Sequence, residues 1–236
     1  MNLRLTSSTE PQCITGQTLS RTELQALCAA GHPVLHFEHC VFDGADLSGL
    51  ALQGAQFIGC SLREVSLERA GLAGTRWLDC RAGQTQFHLA DLTDARFHRC
   101  DLNNTSWVRS SLASARFAEV KLTGAHFREA ETLGLSFHDS LLVGADLRGI
   151  SFRKQAVEQL DLSDADLAGC DFRDAVFEGG SLRDAHLKNA RFDGADLRSV
   201  DLGGLRIAQL AQSFKGAILS ADQAAMLISE LGIRVA

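Results

Sequence analysis

The chain has 236 residues, a formal net charge of −6 and an apolar content of 45%. This length is compatible with one domain and its caps, and an acidic surface attracts basic partners and repels nucleic acid. No apolar stretch approaches the about 20 residues that cross a membrane, and polar residues follow Met1–Leu5 in place of the apolar region of a signal peptide. We therefore expect a cytoplasmic protein that contacts neither a membrane nor nucleic acid directly.

Residues 1–34 are predicted to be an N-terminal cap with one short helix. Ser20 and Glu23 have the S-x-x-E spacing of a capping box, and apolar residues follow it up to Cys28, before Gly31 and Pro33. This pattern predicts a helix at about residues 21–30. A helix there would cover apolar side chains and unpaired strand edges at the open end of a repeat structure.

Residues 35–209 follow a period of five. From Phe37 to Ile207 every fifth residue forms one uninterrupted series of 35 centres, and only Ala82 and Thr132 are not large and apolar. A strand alternates by two and a helix recurs by 3.6, so neither explains the pattern. A fixed short period indicates a solenoid, in which each unit buries its apolar face against its neighbours. Four five-residue repeats make one coil of 20 residues.

The residue two positions before each centre is usually small and is predicted to point inward as well. One wall then has an inward aromatic column, beginning with Phe37, Phe57 and Trp77. The thiols of Cys40, Cys60, Cys80 and Cys100 occupy small inward positions, one per coil. Parallel side chains in a line cannot surround a tetrahedral ion, so we interpret these cysteines as packing residues and expect no metal site.

The segments Ala45–Gly49, Ala145–Gly149 and Ala165–Gly169 read A-D-L-x-G. The chain resembles the pentapeptide-repeat family, whose consensus is A(D/N)LxG, over roughly residues 35–209. The resemblance implies an all-β solenoid, a right-handed quadrilateral parallel β-helix with short α-helical caps at both ends. With a rise of about 4.8 Å per coil, the rod would be about 42 Å long.

Residues 210–236 are predicted to be a C-terminal helical cap. Ser220 begins a second helix-capping pattern and Gly232 ends the apolar run. This segment has more apolar surface than one helix needs to cover one coil, so we predict a symmetric homodimer through it; the alternative is a cap that folds flat on its own coil. The predicted dimer interface consists of Ile218, Leu219, Met226, Leu227, Leu231 and Ile233.

Charge is unevenly distributed along the repeat. Residues 123–209 contain 15 acidic and 10 basic side chains, against 10 and 9 in residues 36–122. In the N-terminal half Arg76, Arg96 and Arg116 form a basic column, which we expect Asp79 and Glu119 to offset. In the C-terminal half six carboxylates are predicted to form a partner-binding acidic strip. The members of the strip are Asp146, Asp161, Asp164, Asp166, Asp184 and Asp201.

No enzyme motif is present. There is no phosphate-binding glycine loop, nucleophile elbow or H-E-x-x-H sequence, and a filled coil offers no concave pocket. The sequence predicts a non-enzyme without catalytic residues or cofactors. His98 and His138 share an outward column, but two coils separate them. Large or polar residues fill the small positions at 150–160, where we predict a widened corner or bulge around Gln155.

The best-understood relatives in the family are the Qnr, Mfp and albicidin-resistance types. The resemblance implies a dimeric DNA mimic that binds DNA gyrase or topoisomerase IV and protects it from quinolone- or albicidin-like inhibitors. Qnr proteins often have loops that interrupt the repeat; this register never breaks, so the chain is more similar to the loopless types. The alternative is a generic protein-interaction rod or scaffold with an unrelated partner.

Overall fold

The computed structural model of the protein describes residues 12–30, 34–206, 213–229 and 231–234. These residues form a parallel β-solenoid of about 8 turns with a helix near each end. The last predicted centre, Ile207, lies outside the described residues. The elements are β1 (Gln12–Thr15), α1 (Arg21–Ala29), β2 (Leu35–Glu38), β3 (Gln56–Ile58), β4 (Arg76–Leu78), β5 (Arg96–His98), β6 (Arg116–Ala118), β7 (Ser136–His138), β8 (Ala156–Glu158), β9 (Val176–Glu178) and α2 (Ala221–Ser229).

Each coil has four walls, and equivalent residues of successive coils are 20 positions apart. Strands β2–β9 stack in sequence order and form wall 1. Parallel bridges hold the other walls, beginning with Val41 to Ser61 on wall 2, Asp46 to Ser66 on wall 3 and Ala51 to Gly71 on wall 4. Because successive coils pair along their walls, the backbone hydrogen bonds run along the rod, with one interruption on walls 4 and 1.

The five-residue series forms the core, as predicted. Among the described centres from Phe37 to Leu202, only Thr132 is not buried. On wall 1 Phe57 and Trp77 stack with ring centroids 4.2 Å apart. On wall 3 Phe87 and Trp107 stack at 4.1 Å. The aromatic side chains therefore fill the interior of the rod, where they can bind no external ligand.

The described part of the N-terminal cap contains a strand that the sequence pattern did not predict. β1 pairs in parallel with β2, and Ile14 lies beside Phe37, 23 residues away rather than 20. The irregular spacing explains why the five-residue period did not reveal it. The predicted helix is present as α1, with Ser20 and Glu23 forming both halves of the capping box, and Arg21 donates to the carbonyls of Asp46 and Ser48 at 2.8 Å each.

The C-terminal cap continues the solenoid before its helix begins. Ile218 bridges to Asp196 in parallel, and α2 follows. The Gln223 side chain accepts from the Ser220 N–H at 2.8 Å, as in a capping box. Its amide nitrogen donates to the carbonyls of Leu197 and Val200 at 2.7 and 2.8 Å. One glutamine thus hydrogen-bonds both to the start of the helix and to two carbonyls of the coil on which the cap packs.

One corner of the ladder is open, at the place where we predicted a widened corner. On wall 4, parallel β-bridges join residue 111 to residue 131 and residue 151 to residue 171, but none joins residue 131 to residue 151. On wall 1, the only residue pair between β7 and β8 is His138 with Glu158. Walls 2 and 3 stay continuous at this level. The small-residue column of this corner holds Leu135 and Gln155, whereas Ala115 and Ala175 occupy it in neighbouring coils. Two large side chains in adjacent coils account for the lost ladder bonds, and no residue is inserted.

Candidate partner-binding surfaces

The acidic strip lies on walls 2 and 3 of the C-terminal half, and arginines pair with part of it. Arg148 binds Asp146 with nitrogen and oxygen 2.6 Å apart and reaches Asp166 at 3.4 Å. Arg183 binds Asp201 at 2.8 Å. Arg128 also lies 3.9 Å from Asp146. Six carboxylates and these three paired arginines leave the strip with a net charge of −3. The strip is therefore acidic but less charged than its carboxylates alone suggest.

Four strip carboxylates also stabilise the turns of the coil, since Asp146, Asp161, Asp166 and Asp201 each accept from the backbone N–H two residues later. Hydrogen bonds from Arg148 hold the pKa of Asp146 below its ordinary value, because they favour the charged carboxylate. Asp161 accepts from the backbone N–H and the hydroxyl of Ser163 at 3.0 and 2.6 Å. Changes at Asp146 or Asp161 would thus disturb local structure as well as surface charge.

Asp164 and Asp184 are the strip members most available to a partner. Both are exposed, and neither forms an ion pair within the part of the chain that the structure describes. They lie 20 residues apart in one column, hence about 4.8 Å apart along the rod. Their φ angles are +57° and +54°, a region that Asp and Asn enter more easily than other non-glycine residues.

The sequence reasoning missed a recurring Asp-x-Arg pair. Asp171 and Arg173 lie two residues apart in one turn, and Asp196 and Arg198 repeat the arrangement on another wall. In each pair the arginine side chain donates to the carboxylate and lowers its pKa. The D-x-R spacing was visible in the sequence and could have revealed that these acids are neutralised locally.

The basic column lies on wall 1, and the acids expected to offset it pair elsewhere. Arg76 neighbours Arg96, which neighbours Arg116, in consecutive parallel strands. Asp79 instead binds Arg99 through two hydrogen bonds of 2.7 and 2.9 Å. Glu119 binds His98 at 3.0 Å. The expectation that these two acids offset the column was therefore wrong, since coil register fixes a residue's level but not the direction in which its side chain reaches.

The cysteine column packs inside the rod, as predicted. The four thiols of Cys40, Cys60, Cys80 and Cys100 are free and buried. Cys60 donates to the carbonyl of Phe37 at 3.3 Å, and hydrogen bonding among neighbouring thiols together with burial raises the pKa of Cys80. Across the described ranges no group of three or more histidine, cysteine or acidic side chains could hold a metal ion.

The predicted dimer interface divides into exposed and packed residues. Ile218, Met226, Leu231 and Ile233 expose 48%, 41%, 61% and 52% of their surface. Leu227 is 5% exposed and belongs to the core, and Leu219 packs against it. The cap therefore presents four apolar side chains to solvent. Within the described residues no helix is long and apolar enough to cross a membrane.

Two family models match the chain. The model described as pentapeptide repeat region matches residues 34–107, and the model of pentapeptide repeats (8 copies) matches residues 90–128 and 161–204. The sequence matches none of the curated proteins with which it was compared.

Solved structures of QnrB1 share the fold over most of the chain. A trypsin-treated form of QnrB1, a plasmid-mediated fluoroquinolone resistance protein, aligns with a TM-score of 0.72 and 22% identity over 94% of this chain and 100% of that chain. Full-length QnrB1 aligns with a TM-score of 0.58 and 23% identity over 95% and 100%. HetL, a pentapeptide repeat protein from the cyanobacterium Nostoc, gives a TM-score of 0.41 and 23% identity over 89% and 90%.

Proposed function

Because the chain belongs to the pentapeptide-repeat family, we propose that it is a non-enzymatic DNA mimic that binds DNA gyrase or topoisomerase IV in the cytoplasm. The observation that carries this proposal is the acidic strip, above all the free carboxylates Asp164 and Asp184 in one column of the rod. Bound in place of DNA, the protein would protect the enzyme from quinolone- or albicidin-like inhibitors. The similarity in fold to a fluoroquinolone resistance protein, which extends over 94% of this chain, supports the same proposal.

The charge arrangement supports contact with a DNA-binding surface. Carboxylates one coil apart repeat at about 4.8 Å, while each DNA strand carries a phosphate about every 3.4 Å. The strip is thus sparser than DNA, and we expect weaker binding with a strong salt dependence. Screening at high ionic strength suppresses attraction between exposed charges.

The test is a gyrase supercoiling assay at low salt, with and without a quinolone. We expect the protein to inhibit supercoiling at high concentration and to reduce quinolone-induced cleavage. The double variant Asp164→Asn/Asp184→Asn should lose both effects, because it removes charge and keeps a residue type that tolerates positive φ. Absence of any effect of the unmodified protein on gyrase or topoisomerase IV would refute the proposal.

A matched control separates the strip from total charge. Asp94→Asn/Asp139→Asn also removes two exposed carboxylates from positions with φ of +59° and +47°, but both residues lie outside the strip. This variant should act like the unmodified protein. Equal loss of activity in both double variants would show that net charge, and not the strip, is what the enzyme recognises.

We also propose that the protein is a homodimer through its C-terminal cap. The support is the set of four exposed apolar side chains there, of which Leu231 is the most exposed at 61%; such clusters mark interfaces. Leu231→Lys should shift the mass measured by light scattering from dimer to monomer. Leu133→Lys, at an 85% exposed leucine on wall 4, is the control and should leave the dimer intact. A monomeric unmodified protein would contradict this proposal.

The alternative function is a protein-interaction rod with an unrelated partner. The local neutralisation of Asp146, Asp166 and Asp201 by arginines favours it, since a DNA mimic gains from unpaired charge. Affinity capture from the native cell separates the two functions. Recovery of a partner other than a topoisomerase, together with no effect on supercoiling, would support the alternative.

A further inference from the structure

The basic column of wall 1 has no ionic partner among the residues that the structure describes. Arg76, Arg96 and Arg116 are exposed, and within the described ranges none of them has a carboxylate within ion-pairing distance. They occupy paired positions in adjacent strands, so the backbones of consecutive arginines lie about 4.8 Å apart. Like charges directly opposite each other in a sheet destabilise it. An anionic ligand laid along the column would relieve this repulsion.

Two of the nearby acids form contacts with side chains outside the column. Arg99 donates a hydrogen bond to Asp79, and the His98 ring lies 3.0 Å from the Glu119 carboxylate. Asp94 lies two residues before Arg96, yet it makes no ion pair with any described cation. Among the described residues, therefore, no ion pair neutralises the column, although the whole chain carries −6.

A row with apolar side chains at three of its four positions runs beside the arginines on the same wall, and His98 is its polar member. Ile58 and Leu78 precede His98 and Ala118 in paired register. Ile58 and Leu78 line a shallow groove of about 300 Å³ together with Arg76, Arg96 and His98. A ligand fitting this surface needs one row of negative groups and one row of apolar groups, side by side. A nucleic-acid backbone offers only the first row, and the overall negative charge repels it.

The spacing selects a helix over an extended peptide. The three arginines span two coil rises, about 9.6 Å. Carboxylates at positions i, i+3 or i+4, and i+7 of a helix span about 10.5 Å, whereas three on one face of a strand span about 13 Å. We propose that wall 1 of the N-terminal half binds an acidic amphipathic helix of a partner protein, lying along the rod axis. This surface is separate from the acidic strip and does not depend on the proposed topoisomerase function.

The experiment measures binding of fluorescent peptides to the full-length protein at low salt. The probe is a helical peptide with Glu at i, i+4 and i+7 and Leu at adjoining positions of one face. A second peptide has the same composition in scrambled order, and a third probe is single-stranded DNA of equal charge. The helical peptide should bind at least about tenfold more tightly than either comparator, because only it presents both rows at the right spacing.

Matched variants identify the surface. Arg76→Glu/Arg96→Glu should raise the Kd of the helical peptide about tenfold or more, as it replaces attraction by repulsion at two exposed pairs. Arg63→Glu/Arg81→Glu makes the same charge change at exposed arginines on wall 2 and should leave the Kd nearly unchanged. Equal binding of the scrambled peptide, tighter binding of DNA, or equal loss in both variants would each overturn the proposal.

Discussion

At the residue scale, the five-residue series predicted which side chains are buried but not how their polar atoms are satisfied. Trp107 was predicted to be inside, and it is fully buried. Its indole N–H donates to the Thr105 hydroxyl at 2.8 Å, and that hydroxyl donates to the carbonyl of Leu102 at 2.7 Å. The Thr75 hydroxyl accepts from the indole N–H of Trp77 in the same way. The sequence shows a threonine two residues before each tryptophan, but the hydrogen bond depends on rotamers that periodicity does not specify.

Thr105→Val should destabilise the fold by about 1–3 kcal/mol, because it leaves the buried Trp107 N–H without an acceptor. The measurement is the free energy of unfolding in urea. In a Trp107→Phe background the same threonine change should cost much less, since no indole N–H remains. An equal cost in both backgrounds would contradict the assigned role of the hydroxyl.

The Asp-x-Arg pairs link stability to acid pH. Hydrogen bonds from Arg173 lower the folded-state pKa of Asp171, so this stabilisation is present above the unfolded pKa, near 3.9. It is lost as pH falls through the folded pKa. The free energy of unfolding should therefore decrease from pH 5 to pH 2.5.

Asp171→Asn should be less stable than the unmodified protein at pH 5 and should lose less stability on acidification. Asp94→Asn, at an exposed aspartate without an ion pair among the described residues, is the control and should follow the unmodified protein. Parallel pH profiles for Asp171→Asn and the unmodified protein would rule out this linkage.

At the element scale, the period predicted the walls and the irregular corner, while the ends of the rod depended on contacts outside the period. β1 escaped prediction because Ile14 pairs with Phe37 across an irregular spacing. The two cap helices were recognisable from Ser20 and Ser220 because capping boxes are local signals. Their docking contacts, such as Gln223 on the last coil, join residues far apart in sequence.

The open corner gives a prediction for its own backbone. Ala156 lacks the ladder hydrogen bond that Val176 makes with the carbonyl of Gln155 one coil later, and the Gln155 amide instead approaches the Leu135 carbonyl at 3.4 Å. Gln155→Ala should let the coils close and slow hydrogen exchange at Ala156 about fivefold, the equivalent of one backbone bond of about 1 kcal/mol. Gln86→Ala, on wall 3, should leave that exchange rate unchanged. Unchanged or faster exchange at Ala156 in Gln155→Ala would contradict the packing explanation.

At the scale of the whole molecule, the rod carries two surfaces of opposite charge. The register assigned Asp164 and Asp184 to one column and Arg76 and Arg96 to another, and the structure has both columns. The sequence could not specify which charges remain free, because Arg148 and Arg183 reach across coils to acids of the strip. The residual charge of each surface therefore differs from what the net charge of −6 alone suggests.

The most direct measurement of the central claim is a competition between this protein and linear duplex DNA for gyrase at low salt. If the acidic strip occupies the DNA-binding surface, the two ligands should exclude each other, and added DNA should raise the apparent Kd of the protein in proportion to DNA concentration. Simultaneous binding of both ligands to the same enzyme, or no binding of the protein at all, would contradict the account.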